Sequence, residues 1–185
     1  MFRDVFTETE TKMKKSIEVL RSDFSTLRAG RANPALLEKI RVEYYGTLTP
    51  LNQVANISAP EPRLLTVQPW DKTILEDIEK AILKSDLGLN PNNDGNILRI
   101  AIPQLTQESR EELVRTIKKK AEETKVSIRN IRREVNEQIK NREKAEGVSE
   151  DIVKKAQEKV QELTDKYIEE IERVFEAKEK EVMEV

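Results

Sequence analysis

All seven prolines of this 185-residue chain fall between residues 31 and 105: Pro34, Pro50, Pro60, Pro62, Pro69, Pro91 and Pro103. Proline lacks a backbone N–H and clashes with the preceding helical turn, so helix interiors exclude it. Segments 1–30 and 106–185 are therefore free to be helical throughout, and the middle is not. Glycine follows the same division: Gly46, Gly88 and Gly95 lie in the middle, with Gly30 at its edge and Gly147 beyond it. Charge divides as well, with 17 charged residues among the 75 of the middle against 51 among the 110 of the flanks. The pattern predicts one domain built from 1–29 plus 106–185 and a second inserted over 30–105. The chain should cross between them near 29–31 and 103–106.

The flanks carry apolar residues at three-four spacing, which on a helix forms one stripe. The first stripe is Phe6, Thr9, Met13, Ile17, Leu20, Phe24 and Leu27. The second is Leu113, Ile117, Ala121, Thr124, Ile128, Ile131, Val135 and Ile139. The third is Ile152, Ala156, Val160, Leu163, Tyr167, Ile171, Val174 and Val182, interrupted by Lys178. Narrow seams of this kind pack as a helical bundle. Thr106 and Ser149 are candidate N-caps, the latter followed by Glu150 and Asp151, and Gly147 marks the turn between the second and third helices. A helix over 107–145 would be about 55–60 Å long at 1.5 Å per residue.

The middle alternates instead. Ile40, Val42 and Tyr44 alternate with polar neighbours, as do Leu65 and Val67, and Leu98, Ile100 and Ile102, which predicts half-buried strands. Residues 73–87 place Ile74, Ile78, Ala81 and Ile82 on one helical face and end at Gly88. Strands with one amphipathic helix make a small layered unit, so the fold class is α+β.

The chain has no Cys and no His. That excludes a thiolate nucleophile, an imidazole base, a Ser-His-Asp triad, a disulfide framework and an ordinary zinc site. The opening MFRDVFTETE has no apolar h-region, so no signal peptide is expected. The longest uncharged stretch, Tyr44 to Pro60, is broken by Gly46, Pro50, Asn52, Gln53 and Asn56, which rules out a transmembrane helix there. A soluble cytoplasmic protein is expected. Acid pairs such as Glu122-Glu123 and Glu169-Glu170 read as solvated helix surface. No P-loop or dinucleotide fingerprint is present, and the turn-rich Asp86 to Asn92 is explained by a helix end and loop. An enzyme is therefore not expected, and neither a cofactor nor a metal.

The formal net charge of -2 conceals opposed halves: +5 over Arg110–Arg133 and -6 over Glu134–Val185. Within the basic half, Lys118, Lys125, Arg129 and Arg132 are spaced seven, four and three apart, along one helix face, with Arg133 beside them. Arginines on a rigid helix suit phosphate oxygens, because the guanidinium bonds bidentately and is weakly hydrated. The same residues could equally be a solvated face paired with glutamates of neighbouring helices. Arg28 and Arg31 flank Gly30 and read either as helix-end charge compensation or as a second phosphate-binding cluster. No aromatic residues interleave with the stripe, so recognition of a folded RNA by its shape and backbone fits better than base reading. A helical scaffold that binds partner helices through its seams is the competing reading, and a hydrolase using carboxylates of the middle domain is a third.

Several segments together resemble the bacterial ribosome recycling factor family. They are Leu27-Arg28-Ala29-Gly30-Arg31-Ala32-Asn33-Pro34, Val42-Glu43-Tyr44-Tyr45-Gly46-Thr47, Ala81-Ile82 with Ser85-Asp86-Leu87-Gly88-Leu89-Asn90-Pro91, and Ile128-Arg129-Asn130-Ile131-Arg132-Arg133-Glu134. The resemblance covers essentially the whole chain. It implies an elongated antiparallel three-helix bundle with an inserted small β/α/β domain, joined by two hinge segments into an L of tRNA-like dimensions. It also implies a monomer that acts after translation termination without a membrane partner. Such a factor binds the ribosome still holding mRNA and deacylated tRNA. With elongation factor G, which supplies the GTP hydrolysis, it separates the subunits, and initiation factor three then keeps them apart. On this resemblance Arg132 and Arg129 meet large-subunit rRNA, Arg133, Lys125 and Lys118 extend that face, and Arg28 and Arg31 contact rRNA at the hinge end. The hinge residues would be Ala29, Gly30, Arg31, Pro103, Gln104, Leu105 and Thr106, with Gly30 loosening one crossing and Pro103 stiffening the other.

Overall fold

The computed structural model describes residues 1–27 and 30–184. The chain forms two compact units, one of residues 1–24 together with those from Glu111 onward, the other of Ser25–Arg110.

The first unit is built on three long helices, α1 (Arg3–Ser25), α3 (Gln107–Glu146) and α4 (Glu150–Met183). In α1 the buried residues are Val5, Thr9, Met13, Ile17, Leu20 and Phe24. Val5 is the more deeply buried residue at the start of the seam, and Phe6 packs half-buried against the same cluster. Thr9 is tolerated in the seam because its hydroxyl donates to the Val5 carbonyl at 2.7 Å, leaving no unpaired polar atom. The Ser109 amide donates to Thr106 Oγ1 at 3.1 Å, which caps α3. Ser149 sits at the N-cap of α4 but its side chain makes no capping bond, so the start of that helix is favoured instead by Glu150 and Asp151 in its first turn. Gly147 has φ +66 and donates its amide to the Glu143 carbonyl at 3.0 Å, which closes α3 in the left-handed conformation glycine adopts cheaply. In α4 Val153 is buried and Ile152 is 43% exposed, which moves the start of the third stripe by one residue. Lys178 interrupts that stripe in sequence yet is buried in it: its stem fills the seam and its ammonium reaches Glu181 at 3.4 Å.

Pairs along the helices give their directions. Arg142 meets Asp4 at 2.6 Å and Lys120 meets Asp23 at 3.9 Å, so α3 runs antiparallel to α1. Lys125 meets Glu172, and Arg132 meets Gln161 at 3.3 Å, so α3 runs antiparallel to α4 as well. Phe2, Val5, Val135, Ile139, Val153, Ala156 and Val160 form one apolar cluster drawn from all three helices. The Tyr167 hydroxyl, on a side chain otherwise buried, donates to Glu10 Oε1 at 2.9 Å. That bond holds the Glu10 carboxyl below its ordinary range, and burial together with the adjacent carboxylate pushes the phenol well above its own.

The second unit contains a hairpin of β1 (Arg41–Tyr44) and β2 (Thr47–Pro50). Its four-stranded antiparallel sheet is ordered β3 (Ala55–Glu61), β4 (Leu64–Pro69), β6 (Leu98–Ala101) and β5 (Pro91–Asn93). The two-residue hairpin turn has positive φ at Tyr45 (+49) and Gly46 (+76), the combination that matches the twist of paired strands. The sequence pattern misses β2, β3 and β5. β3 and β5 are edge strands, which tolerate Pro60 and Pro91 and carry polar residues outward, so they lack the alternation of β4 and β6. The helix α2 (Leu75–Lys84) is shorter than the expected 73–87. A 3-10 turn, Lys72–Ile74, precedes it, with Asp71 accepting from the Thr73 amide at 3.0 Å, and Ser85 ends it by donating to the Ile82 carbonyl at 2.6 Å. Ile74, Leu75, Ile78 and Ile82 pack with Leu65, Val67, Leu98 and Ile100 in one core.

The turn between β5 and β6 is held by Asp94, which accepts from the amides of Ile97 and Asn96, each at 2.9 Å, and pairs with Arg99. Those donors bring its pKa down to about 2. The native state thus favours the ionised form, so the stability it contributes is present above the unfolded carboxyl value and is lost as pH falls through the folded one. Asp94→Ala should be less stable than the parent at neutral pH, and the gap should close as the pH is lowered from about 4 towards 2. Urea unfolding at a series of pH values checks this.

Candidate nucleic-acid interface

The basic stripe of α3 separates into two classes when its neighbours are seen. Lys118 and Arg133 are exposed, and Arg129 and Arg132 are half-buried at the helix flank. Lys125 is only 8% exposed. Its ammonium is bound by Glu172 of α4 and by Glu122, the latter at 3.1 Å. The Glu172 hydrogen bond raises its pKa against the opposing effect of burial, so the cation is held in its charged form as part of the bundle. Lys125 thus differs from the other cations of the stripe: its ammonium is already paired in a bridge between helices. Lys125→Met should keep the stem's packing and leave Glu172 able to reach solvent. Ribosome affinity is then expected to stay within about two-fold of the parent, with a stability change of at most about 1 kcal/mol. A ten-fold loss in ribosome co-sedimentation would place Lys125 in the interface.

Arg132 makes a different contact. Its Nη1 donates to Gln161 Oε1 at 3.3 Å, and Gln161 Nε2 in turn donates to Asp165 Oδ1 at 2.8 Å. Arg129 and Arg133 make no ion pair with any described residue. Sequence reasoning had no signal for Gln161, because an exposed glutamine on α4 is unremarkable until the register of α4 against α3 is known.

At the other arginine cluster, Arg31 is exposed, and Arg28 and Ala29 lie outside the described residues. Gly30 has φ +78, and a Cβ placed there would stand 3.6 Å from Leu105 Cγ, so the two crossing segments run side by side within the second unit. Both are tied to the turn between β3 and β4: the Ala32 amide donates to the Pro62 carbonyl at 2.7 Å and the Ile102 amide to the Arg63 carbonyl at 2.8 Å. Pro103, Gln104 and Thr106 are exposed and Leu105 is half-buried. Among the described residues no group of three acids is placed to hold a metal ion, and no helix is long and apolar enough to cross a membrane.

The family model for ribosome recycling factor matches residues 20–183. The chain belongs to the ribosome recycling factor family. Curated relatives agree over the full length of both chains: the ribosome-recycling factors of Heliobacterium modesticaldum and Syntrophomonas wolfei are 60% and 58% identical over 185 residues. A solution structure of a ribosome recycling factor is 48% identical, with a TM-score of 0.82 over 100% of this chain and 98% of its own. A second similar structure, 48% identical with a TM-score of 0.69 and complete coverage of both chains, is the T. thermophilus factor. It is bound with E. coli elongation factor G to the E. coli post-termination complex.

Proposed function

We propose that this chain is a non-enzymatic translation factor of the cytoplasm. It binds the post-termination ribosome and, with elongation factor G, splits it into subunits and frees it from mRNA for reuse. Family membership over the full chain carries the reading, and the complex formed by the T. thermophilus relative supports the choice of partners. Arg132, Arg129, Arg133 and Lys118 supply the grip on large-subunit rRNA, with Arg31 and Arg28 as further contacts. GTP is consumed by elongation factor G, so this chain needs no cofactor of its own.

The mechanism is mechanical. Charge-assisted bonds to phosphate fix the bundle, each worth roughly 1.5–3 kcal/mol. The segments 29–31 and 103–106 act as hinges, since a few residues that change φ and ψ suffice to let one unit turn. Elongation factor G drives that turn and loads the subunit interface. The test is polysome breakdown with purified elongation factor G and GTP, with and without this protein. Monosomes and subunits should accumulate only with it, and equal breakdown without it rejects the proposal. A covalent cross-link between the two units should leave ribosome binding intact and abolish splitting, whereas undiminished splitting removes the hinge from the mechanism.

A further inference from the structure

Arg132 stands apart from the other cations that reach across the bundle. Lys125 ends on Glu172, Arg142 on Asp4 at 2.6 Å, Arg21 on Glu170 at 3.2 Å and Lys166 on Glu10 at 3.4 Å. Each of those charges is neutralised by a carboxylate. Arg132 ends on a neutral amide, Gln161, at 3.3 Å, and the nearby carboxylate of Asp165 is bound to that amide at 2.8 Å rather than to the guanidinium. The amide can face only one way. Turned over, its NH2 would oppose the guanidinium donors and its oxygen would oppose the Asp165 carboxylate, and both contacts are repulsive. Asp165, one helical turn beyond Gln161 on α4, therefore fixes the oxygen towards Arg132.

The geometry points to Gln161 as a positioning residue for Arg132, resting on the reading of Arg132 as an rRNA phosphate contact. A free arginine side chain has many rotamers, and ordering it on binding subtracts from affinity. The bond from Gln161 restricts the guanidinium beforehand. It uses one of five N–H donors and leaves four for a phosphate. Because the acceptor is uncharged, the full positive charge remains available, which a glutamate at this position would cancel. Gln161 thus orients the cation, and Asp165 holds the amide that does so.

Ribosome affinity measured in a double-substitution cycle tests this. Gln161→Met keeps side-chain length and removes the acceptor. It should weaken binding about three- to ten-fold, the equivalent of one modest hydrogen bond, without moving the thermal unfolding midpoint. In an Arg132→Ala background the same substitution should have no effect. Gln161→Glu should weaken binding further and flatten the dependence of affinity on salt by about one phosphate contact, because the new carboxylate holds the cation. Equal losses in both backgrounds, or no loss from Gln161→Met beside a clear loss from Arg132→Ala, overturns the positioning role and leaves Arg132 in place. No loss from Arg132→Ala overturns both.

Discussion

Replacing Arg129, Arg132 and Arg133 together by alanine is expected to lower ribosome affinity by about three orders of magnitude while the bundle stays folded. Each charge-assisted bond to phosphate is worth roughly 1.5–3 kcal/mol, and about 4 kcal/mol in all already gives a thousand-fold change even if the contributions overlap. The fold tolerates the change because alanine is the best helix former, and the three side chains lie outside the buried seam of Ile117, Ala121, Ile128, Val135 and Ile139. Salt supplies an independent reading. Affinity should fall steeply with ionic strength in the parent, and the slope should drop by about three contacts in the variant. A scaffold that bound partner helices through apolar seams would respond little to salt, since burial of apolar surface drives such association. Arg132→Ala alone should cost about ten- to a hundred-fold. It is a cleaner test than Arg132→Gly, because glycine in a helix interior costs about 1 kcal/mol by itself. If the triple variant co-sediments with ribosomes like the parent, the arginines are solvated surface and the mechanism above fails.

The largest stability effect is expected in the second unit. Ile78 on α2 has no solvent exposure and sits in the core with Leu65, Val67, Ile82, Leu98 and Ile100. Ile78→Ala keeps the helix but empties a site walled by sheet residues that cannot collapse inward without breaking strand pairing. A loss of about 3 kcal/mol is expected, from transfer and cavity terms together. Trp70 is 69% exposed and would report little, whereas the strands β4 and β6 lie wholly in this unit, so the loss of their native amide NMR resonances with urea follows the unfolding of Ser25–Arg110. The urea midpoint read by that signal should fall sharply with an unchanged slope. The far-ultraviolet signal, dominated by the three long helices, should keep a transition near the parent's midpoint. A shift of less than about 1 kcal/mol would mean that α2 is loosely packed against the sheet.

The helices were legible because their information is local. Proline is absent from them, and apolar residues recur at the helical period through Met13, Ile17 and Leu20, through Ile117, Ala121 and Ile128, and through Val160, Tyr167 and Ile171. The strands β4 and β6 were legible for the same reason, since each turns one face to a core. The hairpin strand β1 was legible too, through Ile40 and Val42, whereas β2, β3 and β5 were not, because they bury almost no alternating face and are held by a partner's hydrogen bonds. The family resemblance named the arginines, but the residues that decide what each cation does lie elsewhere in the chain.

Lys125 and Arg132 show where that boundary falls. They are seven residues apart on one helix face, both cationic, and spacing treats them alike. Sequence alone determined that α3 is a continuous helix with its cations in a row, because helical geometry follows from residue order. Only the docking of α4 decided that Lys125 would face Glu172 and be neutralised while Arg132 would face Gln161 and keep its charge. The register between two helices is set by how their seams interlock along their whole length, and that sum over distant residues cannot be read from either helix by itself.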